Sequence, residues 1–153
     1  MNVRREHFAA AARARLGDAK VLQDDDGGRT QGACYLAHVA VECALKLRVL
    51  SMVGATSVEE FRRKQGNQLA DSVFSGARGH DLAYLADRAS LDRLLVATSS
   101  AGRPDRASWT YLSTSERAYG LRYGVDHPPT TLSRKVVQVA KDLVDVLLKE
   151  VPS

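Results

Sequence analysis

The sequence predicts an all-α protein, an up-and-down bundle of four main helices with one or two short extra helices. Apolar residues recur three and four positions apart through most of the chain, which is the spacing of a helix that buries one face. No stretch alternates apolar and polar residues over more than a few positions, and β-branched residues are scattered, so strands are not expected. The 153 residues suit one ordinary domain, and no repeat or linker divides them. We therefore expect a single helical domain over residues 1–153.

The first two helices are the clearest in the sequence. On the first, apolar residues fall three or four positions apart at Phe8, Ala12, Leu16, Ala19 and Leu22. The run DDDGG at residues 24–28 then ends this helix. The second helix is expected from about Thr30 to Met52, and its centre, residues 35–46, reads YLAHVAVECALK. Because apolar side chains surround that centre, we expect this helix to lie in the middle of the bundle.

The middle of the chain predicts shorter helices. Ser57 followed by Glu60 matches a capping box, which predicts a short polar helix that ends near Gln65. The segment through the letters GARGH gives no clear prediction. Residues 80–97 are again helical in pattern, and the sequence allows a break near Ser90.

The last third of the chain contains two further helices around an interruption. Residues 105–119 are helical in pattern around Trp109 and Leu112. The following LRYGVDHPPT, residues 121–130, cannot continue as a helix because of its glycine and its two adjacent prolines. Thr131 is the expected N-cap of the final helix, in which apolar residues recur at helical spacing.

Composition and charge narrow the functional classes. Charged residues make up 26% of the chain and the net charge is +4, with arginine supplying 16 of the 22 basic residues. Arginine suits phosphate and carboxylate groups. No dense basic run with interleaved aromatics is present, however, so the charge raises the expectation of nucleic-acid contact only slightly.

The cysteines and the N-terminus indicate a location. Cys34 and Cys43 lie nine positions apart in one predicted helix, about 13 Å along its axis, which is too far for a disulfide. The N-terminus, MNVRREHF, lacks the apolar segment of a signal peptide, and no apolar run reaches the roughly 20 residues of a membrane span. We therefore expect a cytoplasmic protein without a membrane partner.

Three polar residues, His38, Glu42 and Lys46, interrupt the apolar centre of the second helix at a spacing of four. That spacing places them in one seam along the helix. An exposed Glu–Lys pair at this spacing contributes only about 0.2–0.5 kcal/mol, which is too little to explain a seam. We expect either a buried structural network, in which Lys46 or Arg122 keeps Glu42 charged, or a seam that faces a dimer cleft or a ligand.

Three segments in order along the chain carry a resemblance to a known family. They are the helix YLAHVAVECALK, GHDLAYL at residues 79–85, and WTYLSTSERAYGLRYG at residues 109–124. Together they resemble the HEPN family (higher eukaryotes and prokaryotes nucleotide-binding). In that family a small-residue-rich helix carries a Glu and a Lys four apart, a His-containing segment opens the next helix, and an Arg-Tyr pair precedes the last helix. The resemblance covers essentially the whole chain except residues 53–75.

The resemblance implies a helical bundle, commonly a homodimer, that serves as an RNA- or nucleotide-associated interaction module in a prokaryotic toxin-antitoxin or anti-phage defence setting. It also implies a nucleotidyltransferase-type protein partner. The chain has no Gly-Ser followed by paired aspartates, so nucleotidyl transfer itself would belong to that partner. A bundle that binds only a protein partner is a further alternative.

The nuclease branch of the same family implies a metal-independent endoribonuclease toxin, whose motif is Arg, four to six residues, then His. Arg122 and His127 match this motif with four residues between them. The imidazole would move protons at the RNA 2′-hydroxyl and 5′-oxygen, while the guanidinium would stabilise the phosphorane. In the alternative, Arg122 and Tyr123 anchor the final loop, and Arg122 pairs with a carboxylate inside the bundle.

The remaining polar residues have mainly structural interpretations. His38 is expected to be a core or interface histidine, with catalysis as the alternative. His80, next to Asp81 at a helix start, is expected to cap the helix or to hydrogen-bond locally, with a ligand role as the alternative. The four histidines and two cysteines never cluster at ligand spacing, and no glycine stretch makes a phosphate cradle, so neither a metal nor a cofactor is expected.

Overall fold

The computed structural model describes residues 2–24, 29–97, 106–114 and 128–149. Within these ranges the chain forms α-helices, one 3₁₀ turn and no strand, which confirms the all-α helical class. The helices are α1 Arg5–Gln23, α2 Thr30–Met52, α3 Val58–Gln65, α4 Asn67–Phe74, α5 Leu82–Arg88, α6 Leu91–Ala97, α7 Arg106–Ser113 and α8 Thr130–Lys149, with the 3₁₀ turn Ala77–His80 between α4 and α5. None of these helices combines the length and the apolar character needed to cross a membrane.

The two helices α1 and α2 form an antiparallel pair. At one end, Gly32 lies so close to Leu22 that a β-carbon at position 32 would be 2.9 Å from the Leu22 Cδ1 atom. At the other end, the Arg5 amide donates a hydrogen bond to the Thr56 carbonyl at 3.0 Å. The end of α1 thus meets the start of α2, and the start of α1 meets the segment that follows α2.

The central helix of the bundle is α2, because α1, α5 and α8 all pack against it. Its residues Ala33, Ala37, Ala40 and Ala44 are fully buried and recur at spacings of four, three and four. Such small side chains let neighbouring helices approach closely. Valines and leucines of α8, which also packs against α1, complete the core.

The start of α3 is capped, but not by a reciprocal capping box. The Ser57 hydroxyl accepts from the Glu60 amide at 3.1 Å, as the sequence predicts. The Glu60 carboxylate instead accepts from the amide and the hydroxyl of Thr56, both at 2.7 Å. These hydrogen bonds lower the pKa of Glu60 to about 2, because they stabilise its charged form. The second half of the expected box is therefore shifted by one residue.

The expected helix over residues 80–97 is divided in two at Ser90. The φ angle of Ser90 is 51°, in the left-handed region that ends a right-handed helix. The first half, α5, begins after Asp81, whose carboxylate accepts from the amides of Ala83 and Tyr84 at 3.0 and 3.2 Å. The cap at Asp81 leaves His80 in the preceding 3₁₀ turn, outside the helix.

Other boundaries also differ from the sequence expectation. Helix α4 lies in a segment for which the sequence pattern gives no clear prediction, and only Gly66, with a φ of 95°, separates it from α3. Two turns on either side of such a glycine are too short for a helical repeat to stand out in the sequence. Helix α8 begins at Thr130, one residue before the expected cap, and α7 ends at Ser113.

Candidate functional site

The polar seam of α2 is buried in the bundle. The exposed fractions of His38, Glu42 and Lys46 are 2%, 8% and 6%. All three side chains are shielded because α2 is covered by the helices around it. Removing a carboxylate and an ammonium group from water is unfavourable unless each finds a partner, so their contacts decide how this seam is stabilised.

Glu42 is held by two cationic or potentially cationic groups. The Lys46 Nζ atom, one turn further along α2, donates to Glu42 Oε1 at 2.7 Å. The His80 Nδ1 atom, at the end of the 3₁₀ turn, lies 3.2 Å from both Glu42 carboxylate oxygens. We refer to Glu42, Lys46 and His80 as the Glu42 network. Its carboxylate is thus shared between a buried ammonium group and an imidazole that reaches in from the surface.

The contact with Glu42 orients His80. Since an ionised carboxylate only accepts hydrogen bonds, the ring nitrogen that faces it, Nδ1, is the one that carries a proton. In this tautomer the Nε2 atom can accept a hydrogen bond from a ligand. Because 62% of the His80 side chain is exposed, this arrangement connects the buried carboxylate with the solvent.

Gly79 allows the 3₁₀ turn to close over the Glu42 network. A β-carbon at position 79 would lie 2.7 Å from the Val73 carbonyl oxygen and 3.6 Å from the Lys46 Nζ atom. The first of these distances is a clash with backbone, so any side chain larger than hydrogen would force the turn away from α4. Glycine is therefore needed here for close approach, and it brings His80 within reach of Glu42.

His38 lies one turn before Glu42 and is uncharged at neutral pH. Burial lowers the pKa of its imidazole to about 4, and the negative charge of Glu42 opposes this effect only in part. Within the described part of the chain, its Nδ1 atom has no hydrogen-bond partner. A neutral imidazole in this position cannot serve as a cationic phosphate ligand near pH 7, but it packs beside the ion pair without adding charge.

A second cluster, which sequence reasoning missed, lies on the surface beside His80. The guanidinium carbons of Arg78 and Arg88 each lie 5.6 Å from the centroid of the Tyr84 ring. The Tyr84 hydroxyl is 2.6 Å from the Ser72 hydroxyl oxygen on α4. We refer to Arg78, Tyr84 and Arg88 as the Tyr84 cluster. The spacing of four between Tyr84 and Arg88 could have indicated one contact, whereas the position of Arg78 depends on the 3₁₀ turn.

The other sequence-predicted site residues cannot be placed in this arrangement. Arg122, Tyr123 and His127 lie outside the described residues, so the expected pairing of Arg122 with Glu42 stays a prediction. Of the two cysteines, Cys34 is buried, and burial raises the pKa of Cys43 to about 11, which disfavours a reactive thiolate. Among the described residues, no three metal-binding side chains gather into a group that could hold an ion.

Comparisons with protein-family models, with curated proteins and with solved structures find no match to this chain. Function must therefore be inferred from the residues and their geometry. Two groups of side chains could bind a ligand. The Glu42 network links a buried charge to an exposed imidazole, and the Tyr84 cluster holds two guanidinium groups over one aromatic ring.

Proposed function

We propose that this chain is a HEPN-like helical bundle that associates with RNA or a nucleotide, as an interaction module of a prokaryotic toxin-antitoxin or anti-phage defence type. The observation that supports the proposal is the contact of His80 with Glu42, at 3.2 Å and 38 residues apart in the sequence. The two residues come from two of the three segments on which the HEPN resemblance rests.

The buried ion pair also favours a role beyond folding. Apolar side chains of similar volume would stabilise the interior of a bundle about as well as the pair of Glu42 and Lys46. His80 extends the polarity of this pair to the surface, since its side chain is largely exposed. A buried carboxylate that fixes the ring of an exposed histidine presents the Nε2 atom in a constant position, which is suited to holding a ligand.

RNA binding can be tested by fluorescence anisotropy with a 5′-labelled single-stranded RNA of mixed sequence. The logarithm of the association constant should fall linearly with the logarithm of the salt concentration. His80→Gln should weaken binding, and His7→Gln is the matched control, because His7 is an exposed histidine near the start of α1. Competition with ATP and with unlabelled RNA separates nucleotide from RNA binding. If neither ligand binds, or if affinity does not depend on salt, the proposal is wrong.

An endoribonuclease activity is the alternative, which the spacing of Arg122 and His127 supports. In this reaction the 2′-oxygen bonds to phosphorus as His127 takes its proton, and the 5′-oxygen leaves with a proton returned to it. Arg122 would bind the charged phosphorane oxygens. The protein should then cleave single-stranded RNA in EDTA and leave cyclic phosphate ends, and Arg122→Ala and His127→Ala should each abolish cleavage. RNA that stays intact after long incubation would exclude this activity without affecting the binding proposal.

The same proposal includes a homodimer and a nucleotidyltransferase-type protein partner. Light scattering coupled to size-exclusion chromatography measures the first, since a dimer has twice the chain mass of 16.7 kDa. Co-expression with the product of a neighbouring gene, followed by affinity purification of the tagged chain, measures the second. A stable protein complex without any affinity for RNA or nucleotide would favour the alternative hypothesis that this bundle binds only a protein partner.

A further inference from the structure

The Tyr84 cluster holds two positive charges at a fixed position on the surface. Arg78 comes from the 3₁₀ turn and Arg88 from the last residue of α5, and both side chains are exposed. Each guanidinium carbon is within the roughly 6 Å at which a cation is attracted to an aromatic ring. Since both distances are measured to the same centroid, the two guanidinium carbons cannot be more than twice 5.6 Å apart.

The two arginines are not neutralised by acidic side chains. Some other basic residues of the chain are paired with carboxylates, as in Arg15 with Asp18 at 3.1 Å and Arg62 with Asp71 at 2.7 Å. Across the residues that the structure describes, neither Arg78 nor Arg88 forms such an ion pair. Two nearby carboxylates are engaged elsewhere, since Asp81 caps α5 and Glu42 binds Lys46 and His80. The exposed Asp87, next to Arg88 in the sequence, forms no ion pair with either arginine in the described part of the chain. The positive charge of the cluster is therefore available to a ligand.

The Tyr84 ring is held in place from three directions. Its hydroxyl hydrogen-bonds with Ser72 on α4, and its backbone amide donates to the Asp81 cap. The ring itself is half-buried against the core. A guanidinium group that rests on a fixed ring loses less conformational freedom when it binds than one on a free side chain. The cluster is thus organised before any ligand arrives.

We propose that Arg78, Tyr84 and Arg88 form a binding site for the phosphodiester backbone of single-stranded RNA. The inference rests on the proposed function and assigns it to particular residues. Each guanidinium group can donate two parallel hydrogen bonds to one phosphate, and two such groups a short distance apart suit neighbouring phosphates of one strand. The oriented imidazole of His80 is two residues from Arg78 in the same 3₁₀ turn, so a strand that binds the cluster lies close to His80, the exposed member of the Glu42 network.

The chemistry of the cluster favours RNA over an acidic protein segment. A carboxylate on a flexible side chain can be bound by a single lysine or arginine. The phosphates of an RNA backbone follow one another at regular intervals, so cations held at a constant separation suit them better. An acidic peptide is the competing ligand, and the experiment below includes it.

The test compares two double variants with the same change in charge. Arg78→Gln/Arg88→Gln removes both guanidinium groups of the Tyr84 cluster, and Arg13→Gln/Arg134→Gln removes two exposed arginines from α1 and α8. The binding of labelled single-stranded RNA is measured at several salt concentrations. The cluster variant should bind at least about tenfold more weakly at low salt, since charge-assisted hydrogen bonds are lost. Its salt slope should be smaller by about 1.4, or about 0.7 for each phosphate contact, whereas the control should change little.

A second pair of variants tests the role of the ring. Tyr84→Phe keeps the aromatic surface, while Tyr84→Leu keeps the volume approximately but removes the ring on which both arginines rest. Tyr84→Leu should therefore weaken RNA binding more than Tyr84→Phe. Circular dichroism and thermal unfolding show whether each variant is folded, and the arginine variants keep the experiment informative if Tyr84→Leu is not.

The outcomes separate this inference from the function on which it rests. If the wild-type chain binds neither RNA nor nucleotide, the proposed function fails and this site fails with it. If it binds a nucleotide but no RNA, the proposed function stands and the site assignment is wrong. If the wild-type chain binds RNA and Arg78→Gln/Arg88→Gln binds equally well, the proposed function stands and the site assignment is wrong. If poly-glutamate of equal charge displaces the labelled RNA as effectively as unlabelled RNA does, the cluster does not prefer phosphodiester and the assignment to RNA is overturned.

Discussion

Removing one partner of the buried Glu42–Lys46 pair should cost far more stability than breaking an exposed pair at the same spacing. Lys46→Met keeps most of the buried volume but leaves the Glu42 carboxylate, 8% exposed, without its ammonium partner. Breaking a buried pair in this way typically costs about 3–5 kcal/mol. We expect the lower end, about 3 kcal/mol, because His80 continues to contact both carboxylate oxygens.

Two further variants isolate the cause. In Glu42→Leu/Lys46→Met no charge is buried, so most of the lost stability should return. Lys141→Met breaks an i, i+4 pair with Asp145 at 2.9 Å whose side chains are 39% and 51% exposed, and solvent screening should make this change hard to distinguish from wild type. The four proteins thus differ in whether a charge is left buried and unpaired.

Urea unfolding followed by circular dichroism measures these differences as free energies of unfolding. For a chain of this size, a loss of about 3 kcal/mol also corresponds to a decrease of roughly 6–12 °C in the melting temperature. If Lys46→Met and Lys141→Met unfold at the same urea concentration, the pair is solvated and the argument from burial is refuted. If the double variant is no more stable than Lys46→Met, lost packing explains the defect instead.

Four other substitutions test particular features of the fold. The pKa of His38 is lower in the folded chain than its unfolded value of 6.5, so the unfolded chain binds more protons below that pH. The free energy of unfolding should therefore be constant above pH 6.5 and decrease by roughly 3 kcal/mol as the pH falls to about 4. Urea titrations across this range should show that contribution as a difference between wild type and His38→Leu. Gly79→Ala should lower the melting temperature because its β-carbon meets the Val73 carbonyl, whereas Gly17→Ala, with open space in α1, should raise the stability by about 0.5–1 kcal/mol. Ser90→Gly should increase the free energy of unfolding by roughly 0.5–1 kcal/mol, since glycine adopts a φ of 51° without strain; a decrease would show that the Ser90 side chain is needed there.

Much of the fold follows from local pattern. The apolar spacing of Ala12, Leu16 and Ala19 predicts a helix that buries one face, and these residues are buried in α1. The predicted limits of the second helix, Thr30 and Met52, are also its limits in the structure. Each of these features depends on residues within a few turns of one another. Such features can be predicted because helical periodicity is a property of one segment.

Among the short elements between α2 and α6, α3 was predicted from its cap and the break at Ser90 was allowed, whereas α4 and the 3₁₀ turn were not predicted. Helices of seven or eight residues contain only two turns, so the apolar repeat has little length in which to appear. Their limits depend on backbone angles at single residues, namely Gly66 and Ser90. The 3₁₀ turn that carries His80 depends in addition on Gly79, whose role is visible only beside the Val73 carbonyl.

The helical class, and the position of His38, Glu42 and Lys46 on one side of α2, can be predicted without the fold, because a spacing of four fixes that relation within a helix. Only the tertiary structure decided that this side faces inward, that His80 rather than a more distant residue reaches Glu42 in the described part of the chain, and that Arg78 meets Tyr84. Those contacts join segments whose relative positions are set by how the helices pack, and packing depends on the shape of every side chain in the core at once.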